Sequence, residues 1–203
     1  MTAGQILLCY NLPMDTATQL DQLRQDILAD NVCPELREQA TQLVLGDGNP
    51  DADIVFIGEA PGKKEDEQGV PFIGASGRFL NTMLEAAGMV RDDVYITNIV
   101  KYRPPDNRDP TKDEKAAFWP YLLRQLKIID PRVVITLGRH SGAAFIPDLV
   151  ISTDHGHARK VLFDEHEFIA IPLYHPAAAL YNGGMRQTLI DDFLTAATLA
   201  QQT

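Results

Sequence analysis

Three short β-branched runs, each closed by a glycine or a turn-rich polar segment and each followed by a helical pattern, constrain this chain more than any other feature. They are IVFIG at 54–58, VYITNIV at 94–100 and RVVITLG at 132–138. Runs of that length without polar alternation are the pattern of strands covered on both faces. The segments between them carry helical spacing. Residues 15–30 place Leu20, Leu23, Ile27 and Leu28 on one stripe, and Ser76 to Ala87 does the same with Phe79, Leu80, Met83, Leu84 and Ala87, with Gly88 as its stop. Thr111 and Glu114 have the spacing of a capping box, which predicts a helix through Gln125 with Pro120 as a kink. After the third run, RHSGAAF is helix-like, 161–173 reads as two short strands joined by the acidic turn DEHE, and 185–201 closes the chain as an amphipathic helix. The stretches 31–53 and 59–74 read as irregular. This alternation predicts an α/β fold, a three-layer α/β/α sandwich around a central, mainly parallel four-stranded sheet. At 203 residues the chain can bury one good core, so we expect a single domain over 1–203, with 1–30 as a helical extension and the core over about 31–200.

A formal charge of −10 opposes indiscriminate binding to polyanions, which depends on Lys and Arg neutralising phosphates. Any nucleic-acid contact must come from a local basic patch. The two cysteines, Cys9 and Cys33, lie far apart with no CxxC partner, which fits reduced thiols in a cytoplasm. No apolar run approaches the roughly 20 residues that cross a bilayer, and no basic region precedes LLCY at the N-terminus. The expectation is a soluble, cytoplasmic protein with no membrane partner.

In a parallel sheet the loops leaving the C-terminal strand ends open on one edge, where ligands bind. Here those loops carry Glu59, with Glu65 and Asp66 beyond it, then Asn98, Lys101 and Arg103, and further on His175 before Pro176. Asn98 offers a donor and an acceptor on one flat group, suited to a cyclic imide or pyrimidine edge; an asparagine capping a turn has the same address. Phe72 is the one large ring on a small, polar loop, placed either to stack on a planar ligand or to plug the core. His175 can donate a hydrogen bond to an oxygen gaining charge, or serve the turn before Pro176. Lys101, Arg103 and Arg108, among prolines, form the best candidate for contacting phosphates, with a solvated loop as the alternative. His155 and His157 beside Asp154 have no evident third metal ligand, and GEAPG lacks the spacing of a nucleotide-binding loop.

Four motifs in order, GEAPGKKEDEQGVPFIGASGRFLN, YITNIVKYRPPDNRDP, VVITLGR and YHPAAAL, resemble the family 4 uracil-DNA glycosylases over about residues 30–198. The resemblance implies hydrolysis of the N-glycosidic bond of uracil in DNA, single- or double-stranded, by a monofunctional enzyme of base excision repair. It implies that Glu59 positions or activates water, Phe72 stacks on the flipped uracil, Asn98 reads its polar edge and His175 lies beside O2. The backbone at Gly58, Ala60 and Gly62 would then face the substrate, with Lys101, Arg103 and Arg108 on DNA. Pro176, Ala177, Leu180 and Tyr181 fall in the family's DNA-inserting loop. Lys101 could alternatively form a Schiff base, as in a lyase. Family 4 enzymes usually hold a [4Fe–4S] cluster on four cysteines. The corresponding positions here read Asp30, Cys33, Tyr102 and Phe118, so we expect no cluster, no metal and aromatic packing in its place. His155-Gly156 stands where the family tends to have Arg-Gly. The expected state is a monomer. The alternative function is a weak or inactive superfamily member that binds DNA or a partner, or one with another damaged base as substrate.

Overall fold

The computed structural model describes residues 14–163 and 166–202. Cys9, the LLCY segment and the tip of the DEHE turn lie outside the described residues.

The first helix, α1 (Thr16–Ala29), is capped by Asp15, whose carboxylate accepts from the Thr18 N–H, and buries Leu20, Leu23 and Ile27. The stretch expected to be irregular then forms a four-residue helix, α2 (Pro34–Arg37), and a two-residue strand, β1 (Asp47–Gly48). The first β-branched run is β2 (Ile54–Gly58). The loop after it, expected to be irregular, contains a helix, α3 (Lys63–Gln68). Its residues KKEDEQ carry no apolar period, because its inward groups are the carboxylates of Glu65 and Asp66. Next come α4 (Ala75–Ala86), β3 (Tyr95–Asn98) and α5 (Lys112–Ile129). In α5 the Thr111 and Glu114 capping box forms in both directions, and the helix continues through Pro120. The remainder is β4 (Val133–Leu137), α6 (Arg139–Phe145), α7 (Ile151–Asp154), β5 (Arg159–Phe163), β6 (His166–Leu173), α8 (Ala178–Tyr181) and α9 (Arg186–Gln202).

The sheet order is β1-β3-β2-β4-β6-β5. The inner four strands are parallel, as expected, but among the described residues the sheet has six strands rather than four, with β1 and β5 added antiparallel at the edges. Both additions escape periodicity: β1 has only two residues, and β5 is defined by its hairpin with β6. Alternation along the inner strands divides the core. Val55, Ile57, Tyr95 and Val134 face α1 and α5, whereas Phe56, Ile96, Val133, Ile135 and Ile171 face α4 and α9. On the second side Phe56 and Phe193 stack at 5.5 Å between ring centroids. Helices thus cover both faces, and four parallel strands release their loops on one edge.

Candidate active site

Those loops enclose a cleft of about 550 Å³ whose walls include Glu59, Ala60, Gly62, Phe72, Asn98, Arg108, His140, His175 and Ala177. Its floor is set by register. Gly58 pairs with Asn98 across β2 and β3, and a Cβ at Gly58 would overlap Asn98 Oδ1 and fall 2.6 Å from the Phe72 ring. The absence of a side chain at Gly58 is therefore what lets the amide and the ring meet. Asn98 is 2% exposed, and its Oδ1 has no hydrogen-bond partner among the described residues. A buried acceptor left open at a cleft wall is a place for a ligand N–H.

Phe72 is held in a left-handed conformation, φ +52°, which costs a bulky L-residue about 1–3 kcal/mol. Three contacts impose it. Arg91 Nη2 donates to Pro71 O at 2.7 Å, Glu65 Oε1 accepts from the N–H groups of Ile73 at 3.0 Å and Gly74 at 2.8 Å, and Gly77 in the first turn of α4 lies directly against Phe72 O. Glu65 and Asp66 are thus structural: Asp66 accepts from the Thr41 N–H and hydroxyl. The Phe72 ring lies 5.7 Å from the His175 ring, tilted by 34°.

His175 Nδ1 accepts from the Ala177 N–H at 3.1 Å. The ring proton is therefore on Nε2, available to donate. Burial pushes the imidazole pKa down to about 4, although the Glu65 carboxylate opposes the shift, so the ring is neutral at pH 7.

Glu59 closes the constellation. Its Oε1 accepts from Lys115 Nζ at 2.8 Å and lies 3.5 Å from His140 Nδ1, while His140 Nε2 is 3.6 Å from Asp109 Oδ2. Lys115 and His140 were missed by sequence reasoning, and no local signal marks them, since α5 and α6 meet β2 only through the fold. Glu59, Asp109 and His140 bring three possible metal-ligating atoms within 4.8 Å of one another, but the Lys115 ammonium already neutralises Glu59 there.

The expected DNA contacts divide. Arg103 bonds Asn107 Oδ1, and Arg108 stands at the cleft rim in a two-pronged pair with Glu114. Lys101 is a correction: it is fully buried, bonded to internal acceptors, and absent from the cleft lining, so it contacts neither phosphate nor a reacting sugar. Pro176 is likewise buried, while Leu180 is 48% and Tyr181 91% exposed, so these two form the projecting part of the loop. His155 is engaged with Asp192 at 2.6 Å, and its ring lies 4.7 Å from that of Tyr174, tilted by 42°, which is a structural use of this histidine.

A uracil DNA glycosylase superfamily profile matches residues 45–197, a span that includes every cleft residue named above. The chain belongs to the uracil-DNA glycosylase superfamily. It is 43% identical to the type-4 uracil-DNA glycosylase of Sulfurisphaera tokodaii over 89% of this chain and 84% of that one. It is also 43% identical to the type-4 enzyme of Archaeoglobus fulgidus, over 86% and 89%, and 39% identical to that of Thermotoga maritima, over 79% and 83%. The four positions expected from the resemblance to correspond to cluster cysteines carry a single thiol in this superfamily member, too few to hold an iron–sulfur group. Tyr102 and Phe118 are buried ring against ring at 5.8 Å, and Asp30 accepts from the Tyr121 hydroxyl at 2.7 Å. Cys33 is the one thiol of the set, and burial pushes its pKa up to about 11, away from the thiolate a metal requires.

Proposed function

We propose that this protein is a monofunctional uracil-DNA glycosylase that hydrolyses the N-glycosidic bond of uracil in DNA during base excision repair. The observation that carries the reading is the convergence of the unpaired Asn98 Oδ1, the Phe72 ring and the Nε2–H of neutral His175 on one cleft. A base within a duplex is out of reach of such a cleft, so it must be swung out, at a cost of a few kcal/mol. Leu180 and Tyr181, projecting beside His175, are placed to fill the gap it leaves. In the cleft, Phe72 stacks on the ring, Asn98 Oδ1 accepts from N3–H, and its amide N–H donates to O4.

The C1′–N1 bond then breaks with its electron pair leaving on uracil, and an oxocarbenium-like sugar remains. A neutral His175 donates Nε2–H to O2 as negative charge develops there, so the leaving group is stabilised without full proton transfer. Glu59, tethered through Oε1 to Lys115, orients water at C1′ through its other oxygen and takes up the proton that water loses. The uracil anion gains its proton on release.

Loss of Lys101 from the surface and pairing of Arg108 with Glu114 weaken the case for a protein that only binds DNA, which would need those cations free. We further infer that the enzyme works in the cytoplasm, as a monomer and without a cluster. Support for the last comes from the aromatic packing at Tyr102 and Phe118. Among the described residues no helix is long and apolar enough to cross a membrane. Incubation with uracil-containing single- and double-stranded oligonucleotides, followed by alkaline cleavage, should reveal abasic sites at uracil alone. Intact strands after that treatment would refute the reading.

A further inference from the structure

We propose that Lys101, buried behind the cleft, is a positioning residue that fixes Asn98 and so sets the grip on the uracil edge. The inference rests on the uracil reading above and deepens it. Lys101 Nζ donates to Asn98 O at 2.7 Å, Thr97 Oγ1 at 2.7 Å and Gln125 Oε1 at 2.6 Å. Three acceptors match the three donors of an ammonium. Around them the Thr97 hydroxyl donates to Leu45 O at 2.6 Å, and Gln125 Nε2 donates to Leu45 O and Tyr95 Oη, both at 3.1 Å.

Strand geometry explains why a lysine stands there. The Ile99 N–H goes to Gly58 O, so the Asn98 carbonyl, one residue earlier, faces away from β2 toward the outer edge of β3. On that edge β1 reaches only Ile96 and Tyr95. Among the described residues no strand pairs with β3 beyond Ile96 on that edge, and a carbonyl buried there without a donor would be costly. Lys101 replaces the missing strand with its side chain and ties the β3 end to α5 through Gln125. The consequence falls on Asn98. Its Oδ1 has no side-chain partner among the described residues, so the direction of the amide depends on the backbone that carries it. Lys101 holds that backbone. Burial pushes its pKa well below the ordinary lysine value; both a charged and a neutral amine can donate to Asn98 O.

The test is a double-mutant cycle read as kcat/KM on uracil-containing single-stranded DNA, with free uracil as a competing ligand. Lys101→Met keeps the length and apolar stem and removes the donors. It should lower kcat/KM by about 10- to 100-fold and weaken inhibition by uracil, whereas in an Asn98→Ala background the same change should cost no more than about threefold. Equal losses in both backgrounds, or wild-type uracil inhibition in Lys101→Met, would overturn the inference. Should Lys101→Met fail to fold, Gln125→Leu, which removes one anchor of the lysine, is run through the same cycle with the same criterion. If that variant also fails to fold, the network serves the fold alone and the inference is overturned. A wild-type protein that leaves uracil in place would remove the glycosylase reading and this inference together, while an active wild type with additive losses removes this inference only.

Discussion

A single histidine links stability and chemistry in this protein. His175 is kept neutral by burial, its pKa lowered from 6.5 to about 4, whereas in the unfolded chain it takes up a proton near 6.5. Between those values the unfolded state holds more protons than the folded one, so stability falls as pH is lowered through that window. The contribution is fully present above about 6.5. Urea unfolding at pH 7 and pH 4.5 should therefore show a smaller pH-dependent loss in His175→Gln than in the wild type. The excision rate should also show no step near pH 6.5 from this ring, because its donor form persists down to about pH 4. Glu59 acts at the same scale by a different route. Its carboxylate lies against Lys115 and directs one oxygen, so Glu59→Gln should reduce kcat by about 100-fold or more while leaving the melting temperature close to wild type. An unchanged kcat in that variant would remove Glu59 from the water-activating role.

At the scale of elements, α4 acts as a brace for the aromatic platform. Its first turn packs Gly77 against the Phe72 carbonyl, so closely that a Cβ at Gly77 would overlap it. Gly77→Ala should force helix and loop apart at about 1–3 kcal/mol, visible as a lower urea midpoint, and should raise KM for uracil-containing DNA because the ring leaves its left-handed setting. Full stability and unchanged KM would show that the loop has room to yield. This brace marks the limit of what was legible. Gly58 and Gly138 announced the ends of β2 and β4, the Thr111 and Glu114 box announced α5, and alternating strands and helices gave the layers. These are local signals. The helix α3 carries none, since Glu65 and Asp66 turn inward to bond backbone N–H groups where a periodic pattern would show apolar residues. The same limit applies to Lys101, whose charge suggested DNA while its burial depends on Gln125 and Leu45 far along the chain. Lys115 and His140 reach Glu59 only once α5 and α6 are docked on β2.

The whole molecule puts its cleft at one edge of the sheet and Cys33, Tyr102 and Phe118 in the core beneath α1 and α5. Tyr102 lies four residues beyond Asn98, so whatever fills that place also anchors the segment leaving β3. In this chain the filling is Phe118 edge-on to Tyr102, with Cys33 in the same apolar cluster. The two rings predict opposite responses. Phe118 is fully buried, and Phe118→Ala should cost about 3–5 kcal/mol through lost burial and the cavity left behind. The Tyr102 hydroxyl is buried without a partner among the described residues, so Tyr102→Phe removes an unsatisfied polar group and should leave stability unchanged or raise it by about 1 kcal/mol. Both follow from a packed core and neither from a metal-held one, in which the filler at these positions would hardly matter. The complementary measurement is iron content: protein purified anaerobically and incubated with ferrous iron and sulfide should stay colourless and keep its excision rate after chelator treatment. A brown product whose activity falls with the chelator would mean that ligands outside these four positions rebuild the cluster, and the stability responses of Tyr102 and Phe118 would then have to be read against that metal.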